Sequence, residues 1–220
     1  ESFYGYITFD ALIIASKLKS LFPNKILDIL SKFFQINDSS ENYLSNKKKI
    51  KKFFGSLNLE YKYLLPSWMS GLNVNDLSEK FKKKIHLEDL YDETDIIFNK
   101  NFSLLKSAQL YYFKYYLPMV LAKVDQASMF NSVESRAPFL SKKVINFSLS
   151  QQDSTLYSIF KNKKFLKKTY KNILPNNIIK NKKHGFAFPT HTILKNQKLI
   201  RDLLNTNLIR NEKFFEKKYN

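Results

Sequence analysis

Two residues stand out by type and setting: Asp125, a carboxylate among apolar neighbours, and Lys183, a cation placed two residues before a glycine. Asp125 lies in Lys123-Val124-Asp125-Gln126-Ala127-Ser128-Met129, with Val120, Leu121, Val124 and Met129 around it. An acid on such a helix, just ahead of an ordered loop, is able to face a cleft instead of bulk water. An ordinary capped or ion-paired aspartate, with Arg136 or Lys123 as partner, fits the same spacing, because structural ion pairs also put acids in partly buried places. Lys183 precedes His184-Gly185-Phe186. Gly185 lets a loop change its path and Phe186 can anchor it, so the ammonium group would swing over phosphate oxygens and neutralise charge as it grows on them. By composition alone Lys183 reads as one more surface lysine among many. Glu134 and Arg136, in the polar stretch after Asp125, read as a loop-fixing ion pair or as substrate contacts. His86 and His191 have no partner at metal-ligand spacing, which argues against zinc or iron, and His184 reads as solvated.

The elements that would position these residues are helical. Thr8–Phe22 carries Ala11, Ile14, Leu18 and Leu21 at helical spacing, with Asp10 as a cap and Pro23 as a stop. Helices are predicted over 24–36, 41–54 and 73–84, with 57–72 ambiguous and 86–95 a loop or helix start. Phe102–Tyr116 is strongly apolar and aromatic, and its tyrosines read as core and interface. A second helix is predicted from Pro118, which a first turn tolerates, to Phe130. Ser132–Leu140 then reads as an ordered loop, since Pro138 forces Ala137 out of helical geometry. Ser141 caps a short helix to Leu149. Further helices are predicted over 161–174, 175–179, 191–204 and 212–219, with 182–189 a loop. Few β-rich runs occur, so the chain reads as mostly α.

Composition bounds the alternatives. The 220 residues include 44% hydrophobic and 15% aromatic side chains, enough for a sizeable core and too many for disorder. Four glycines and six prolines are too few for a β-sandwich rich in tight turns. The absence of cysteine excludes disulfides, thiolate metal sites and a cysteine nucleophile. No apolar run approaches the roughly 18 residues a membrane helix needs. The net charge of +18 raises nucleic acid as a partner. The lysines are spread along a chain visibly rich in Lys, Asn, Ile, Phe and Tyr, and nucleic-acid binding is therefore disfavoured. The start at Glu1, without an initiator methionine, suggests a piece of a longer protein.

Tyr116–Leu140, YLPMVLAKVDQASMFNSVESRAPFL, resembles the C-terminal part of the glutamine-dependent asparagine synthetases, whose usual run is close to YLPDDLLVKVDRASMAxSLExRxPFLD. Asn181–Pro189, NKKHGFAFP, is similar to that family's later K-x-G-F loop. Two separated matches, in order and at about the family spacing, say more than either alone. A weaker match is Glu1-Ser2-Phe3-Tyr4-Gly5-Tyr6, which resembles the E-L-F-G-G-Y that follows the family's S-G-x-G-x-D.

The resemblance implies the C-terminal helical part of an α/β adenine-nucleotide α-hydrolase-like synthetase domain, the PP-loop ATP pyrophosphatase type. Its parallel sheet would come mostly from residues before Glu1. Residues 1–100 would be a helical segment of weak match, 101–206 the best-matched segment and 207–220 a tail. The implied reaction is adenylation of the aspartate side chain by ATP, releasing pyrophosphate, then attack by ammonia channelled from an N-terminal glutaminase domain. Lys183 and Asp125 occupy the motif positions tied to that chemistry. Glu1, Gly185, Arg136 and Glu134 would bind substrate or nucleotide. Mg2+ would be held upstream, with no metal ligands in this chain, and the pyrophosphate-binding S-G-G-x-D-S loop would also lie upstream. The parent enzyme would be cytoplasmic, off the membrane and compatible with a homodimer, and this chain alone would be inactive. Where the family has Arg, Asp and Gly, this chain has Gln126, Ser141 and Tyr4, and two acids after Y-L-P are Met119 and Val120. These departures bear on substrate identity more than on reaction class. Relatives that amidate or cyclise other carboxylates by the same adenylation route are the alternative.

Overall fold

The structure, a computed structural model, describes residues 1–35, 46–71, 74–98 and 101–181. The chain divides into two units, Glu1–Asn37 with Lys49–Lys180, and Asp38–Lys48 with Asn181–Asn220. The second contributes only residues 46–48 and 181 to the described chain. The loop at 182–189 and the helices predicted over 191–204 and 212–219 lie outside the described residues, as does the start of the helix predicted from Glu41.

Apolar periodicity builds α1 (Ile7–Leu21) and α2 (Asn24–Gln35), with Pro23 between them. Phe9, Leu12 and Ala15 sink completely into the core from α1, and Leu27 does so from α2. Next come α3 (Asn46–Gly55), α4 (Tyr61–Met69) and α5 (Val74–Lys80). The ambiguous stretch around Trp68 is therefore helical, and Leu64 and Leu65 bury its inner face. The acidic stretch forms two short helices, α6 (Leu87–Tyr91) and α7 (Thr94–Ile97). The amide of His86 donates to Asp89 Oδ2 at 3.2 Å and closes the first turn of α6.

Ser103 caps α8 (Leu104–Tyr111), its hydroxyl accepting from the Lys106 amide at 3.0 Å. A π-helical turn, Tyr112–Tyr116, leads straight into α9 (Leu117–Met129). The two helices expected here form one continuous run. Pro118 lacks an N–H, and the π turn, closed by the Leu117 amide donating to the Tyr112 carbonyl, lies immediately before it. A 3-10 turn at Pro138–Leu140 precedes α10 (Lys142–Ser150), α11 (Asp153–Leu156), α12 (Lys164–Thr169) and α13 (Asn176–Lys180). No strand occurs among the described residues.

Three local expectations differ from the structure. Asp10 does not cap α1. It sits inside the first turn, buried, and its Oδ1 accepts from the Tyr157 hydroxyl at 2.7 Å and the Phe160 amide at 3.3 Å. It anchors a turn some 150 residues away, which short-range capping rules do not see. Ser141 stands at the N-cap of α10 but makes no side-chain cap bond. The helix predicted over 161–174 shrinks to α12, because Lys163 adopts the left-handed conformation with φ 55° and breaks the run.

A buried polar cluster joins α8 to the N-terminal segment and to α10. Gln109 is fully buried, and its Nε2 donates to the Ser2 carbonyl at 3.0 Å. Its Oε1 accepts from Lys106 Nζ at 3.0 Å and, more loosely, from the Tyr4 hydroxyl at 3.4 Å. Lys106 Nζ also donates to the Leu149 carbonyl at 3.0 Å at the end of α10, where a cation complements the helix dipole. Burial holds the Lys106 ammonium below the usual lysine range. Gln109→Leu keeps the volume but leaves the buried Ser2 carbonyl without the Gln109 donor and takes one acceptor from the Lys106 ammonium, which keeps the Leu149 carbonyl. It is expected to cost about 1–3 kcal/mol, read as a lower denaturation midpoint at unchanged slope. A midpoint within error of wild type would show that the cluster is dispensable.

Candidate active site

Helix α9 carries Asp125 in its second half, followed by a turn that reverses the chain. The helix ends in a Schellman arrangement. The Val133 amide donates to the Ser128 carbonyl at 3.0 Å, and the Ser132 amide donates to the Met129 carbonyl at 2.9 Å. Ser132 takes φ 56° at the position where glycine is usual. Beyond it Ala137 is extended, as its place before Pro138 requires.

The Asp125 carboxylate is exposed. Among the described residues it has neither an ion pair nor a hydrogen bond, so neither Lys123 nor Arg136 neutralises it. Its backbone carbonyl accepts from the Ser128 hydroxyl at 3.1 Å. Leu121, Val124 and Met129 around it are exposed too, and Val120 is half-buried. Only Leu117 of α9 is buried, whereas Met119 is 61% exposed and Phe130, just past the helix end, 91%.

Glu134 and Arg136 come together: Arg136 Nε donates to Glu134 Oε1 at 2.8 Å. Both side chains are mostly exposed, so the pair contributes at most about 1 kcal/mol and serves to shape the loop. Lys183 and Gly185 lie outside the described residues.

The N-terminal segment is held far more firmly than its weak motif suggested. Phe3 and Tyr4 are buried, and Phe3 stacks on Phe165 with centroids 5.8 Å apart. Tyr4, which stands where the family pattern has glycine, takes φ 49°. That left-handed geometry costs a non-glycine residue roughly 1–2 kcal/mol. Burial of the ring against Phe9 and Tyr157 offsets it, and the hydroxyl donates to Asp153 Oδ1 at 2.9 Å. Burial first, and the Asp153 charge second, push the Tyr4 phenol well above its ordinary range. Glu1 is half-buried, and its Oε1 accepts from the Tyr6 hydroxyl at 2.8 Å. Tyr6 lies flat on Tyr112, centroids 4.9 Å apart, and meets the edge of Tyr116 at 5.5 Å. Tyr112 pairs with the Thr8 hydroxyl. Nothing in the local pattern flagged this cluster, because Tyr6 and Tyr112 are distant in sequence.

Tyr116 immediately precedes α9, so the cluster around Glu1 sits at the root of the helix that carries Asp125. Nine residues separate Tyr116 from Asp125, about 13 Å of helix rise. The contacts therefore bring Glu1 to Tyr6 and Glu134 to Arg136, with Asp125 further along the same helix.

Among the described residues no group of three or more His, Asp or Glu side chains is arranged to hold a metal. No described glycine adopts positive φ, so the described backbone offers no glycine nest for phosphate. Among the described residues no helix is long and apolar enough to cross a membrane.

A model of the asparagine synthase family matches residues 1–220. Over 78 residues, 36% of this chain, the sequence is 35% identical to asparagine synthetase 1, glutamine-hydrolyzing, of Bacillus subtilis (strain 168). That match spans 12% of the relative's length. No solved structure matches the chain.

Proposed function

The chain belongs to the asparagine synthase family, and from that premise we propose that it is the helical part of an ATP-dependent amide-forming ligase. The whole protein would adenylate the side-chain carboxylate of aspartate and transfer glutamine-derived ammonia to it, giving asparagine, AMP and pyrophosphate. The observation that carries this reading is the family match over the full 220 residues, within which both quoted motifs fall.

In chemical terms, a carboxylate oxygen attacks the α-phosphorus of ATP and pyrophosphate leaves. Ammonia then attacks the acyl carbon, a proton is lost from nitrogen, and the carbon–oxygen bond breaks to release AMP. Lys183 would neutralise charge on phosphate oxygens as the first bond breaks. Asp125, open to solvent in the described chain, would take the proton from nitrogen or hold the group that does. Glu1, Gly185, Glu134 and Arg136 would shape the pocket for substrate and nucleotide.

The exposed apolar side chains of α9 support a setting in which this helix packs against a parallel sheet of a PP-loop type domain. Phosphate binding, Mg2+ and an N-terminal glutaminase would then be supplied by other parts of a cytoplasmic protein.

Met119 and Val120, in place of two acids, favour one second reading: a ligase of the same route acting on a different carboxylate. Product analysis of the full-length protein with aspartate, glutamine and ATP separates the two. Asparagine and AMP formed together support the first reading, and absence of turnover with aspartate but turnover with another acid supports the second.

A further inference from the structure

We propose that Tyr6 is a positioning residue for the Glu1 carboxylate: a phenol locked in an aromatic stack that helps to orient this acid through a hydrogen bond. The inference rests on the reading above, in which Glu1 faces substrate or nucleotide.

Three observations carry it. The Tyr6 hydroxyl donates to Glu1 Oε1 at 2.8 Å, a good distance for a charge-assisted bond. The ring has little freedom. It is stacked on Tyr112, with the planes only 8° apart, and closed on another side by the edge of Tyr116. Tyr112 is itself 1% exposed and packs on Phe9, so the platform under Tyr6 belongs to the core. A hydroxyl at the end of such a ring can point in few directions, and the carboxylate it holds inherits that order.

The chemistry of the pair fits a positioning role and not acid catalysis by the tyrosine. Burial, with the Glu1 hydrogen bond next, pushes the Tyr6 phenol well above its ordinary range, so it stays a proton donor throughout the physiological range. One carboxylate oxygen of Glu1 is thereby directed toward the phenol. The π-helical turn Tyr112–Tyr116 supplies two of the three rings, and α9 follows it directly. The turn therefore ties the orientation of Glu1 to the helix carrying Asp125.

The test is a double-mutant cycle in the full-length protein. Tyr6→Phe keeps the stack and removes one oxygen. It is expected to lower kcat about tenfold, with KM for ATP and aspartate and the melting temperature unchanged. In a Glu1→Gln background the same change is expected to have no further effect, because Tyr6 acts through the charge already removed. Equal kcat for Tyr6→Phe and wild type overturns the proposal, and so does an additive loss in the double variant. If Glu1→Gln itself synthesises asparagine at the wild-type rate, the reading of Glu1 fails first and takes this one with it. Should Tyr6→Phe fold poorly, Glu1→Asp provides the second arm. It withdraws the carboxylate by one methylene from an intact phenol and is expected to show the same kcat loss at a normal melting temperature. A normal kcat there overturns the proposal as well.

Discussion

Lys183→Ala in the full-length protein is expected to reduce pyrophosphate release from ATP and aspartate by about 10²–10³-fold or more, while glutamine hydrolysis continues. The physical reason would be a single positive charge acting on the phosphates. Adenylation separates pyrophosphate from an α-phosphorus crowded with negative oxygens. An ammonium group beside these oxygens would stabilise the separating charge more than the resting nucleotide. That difference is what lowers a barrier, so the loss should appear in kcat. Lys183→Arg should recover only part of the rate, because a planar fork of donors does not occupy the place of a point charge. Glutamine hydrolysis would take place in another domain and would not depend on this lysine. Near-normal synthesis by Lys183→Ala would remove Lys183 from the reaction.

Asp125→Asn carries the second largest expected effect. Amide formation should fall by about 10²-fold or more if the carboxylate takes a proton from the attacking nitrogen or holds the group that does. The structure adds a prediction about stability. The side chain is exposed and, among the described residues, has no charged or hydrogen-bonding partner, so the substitution should shift stability by no more than about 0.5 kcal/mol. The two outcomes separate the alternatives that the motif left open. Loss of activity at an unchanged melting temperature marks a working acid. A collapse in melting temperature marks a structural one, held by contacts that form in the whole protein.

Long periodic segments announced themselves in the sequence and appear where expected. Both α1 and α2 fall within a residue of their predicted limits, with Pro23 dividing them. The break before Pro138 was equally plain, because proline restricts its predecessor by local sterics. Hidden from the sequence were features that depend on contacts between distant residues. Asp10 looks like a helix cap by position but is consumed by Tyr157 and Phe160. Lys163 looks helical by composition but turns left-handed, and its amide leans toward the Tyr4 carbonyl at 3.5 Å. The π turn at Tyr112–Tyr116 has no periodicity signal distinct from that of an α-helix over five residues. Short α11 was missed for a related reason, since four residues are too few to show a period.

The candidate site divides in the same way. Residue types and their order along the chain drew attention to Asp125, Glu134 and Arg136. Whether Glu134 and Arg136 meet was a question of loop shape, and they do. The burial of Tyr4 in a left-handed conformation explains how a tyrosine occupies a place where the family pattern has glycine. The Tyr6–Glu1 contact depends on a stack with Tyr112 that no local rule anticipates.

The most direct test follows oxygen. Aspartate labelled with 18O in its side-chain carboxylate is supplied to the full-length protein with ATP and glutamine, and AMP is analysed by mass spectrometry. Transfer of one labelled oxygen to each AMP, matched by one asparagine that retains the other, is the result expected when an acyl-adenylate forms and ammonia displaces AMP. Unlabelled AMP, or ADP and phosphate in its place, would contradict the account.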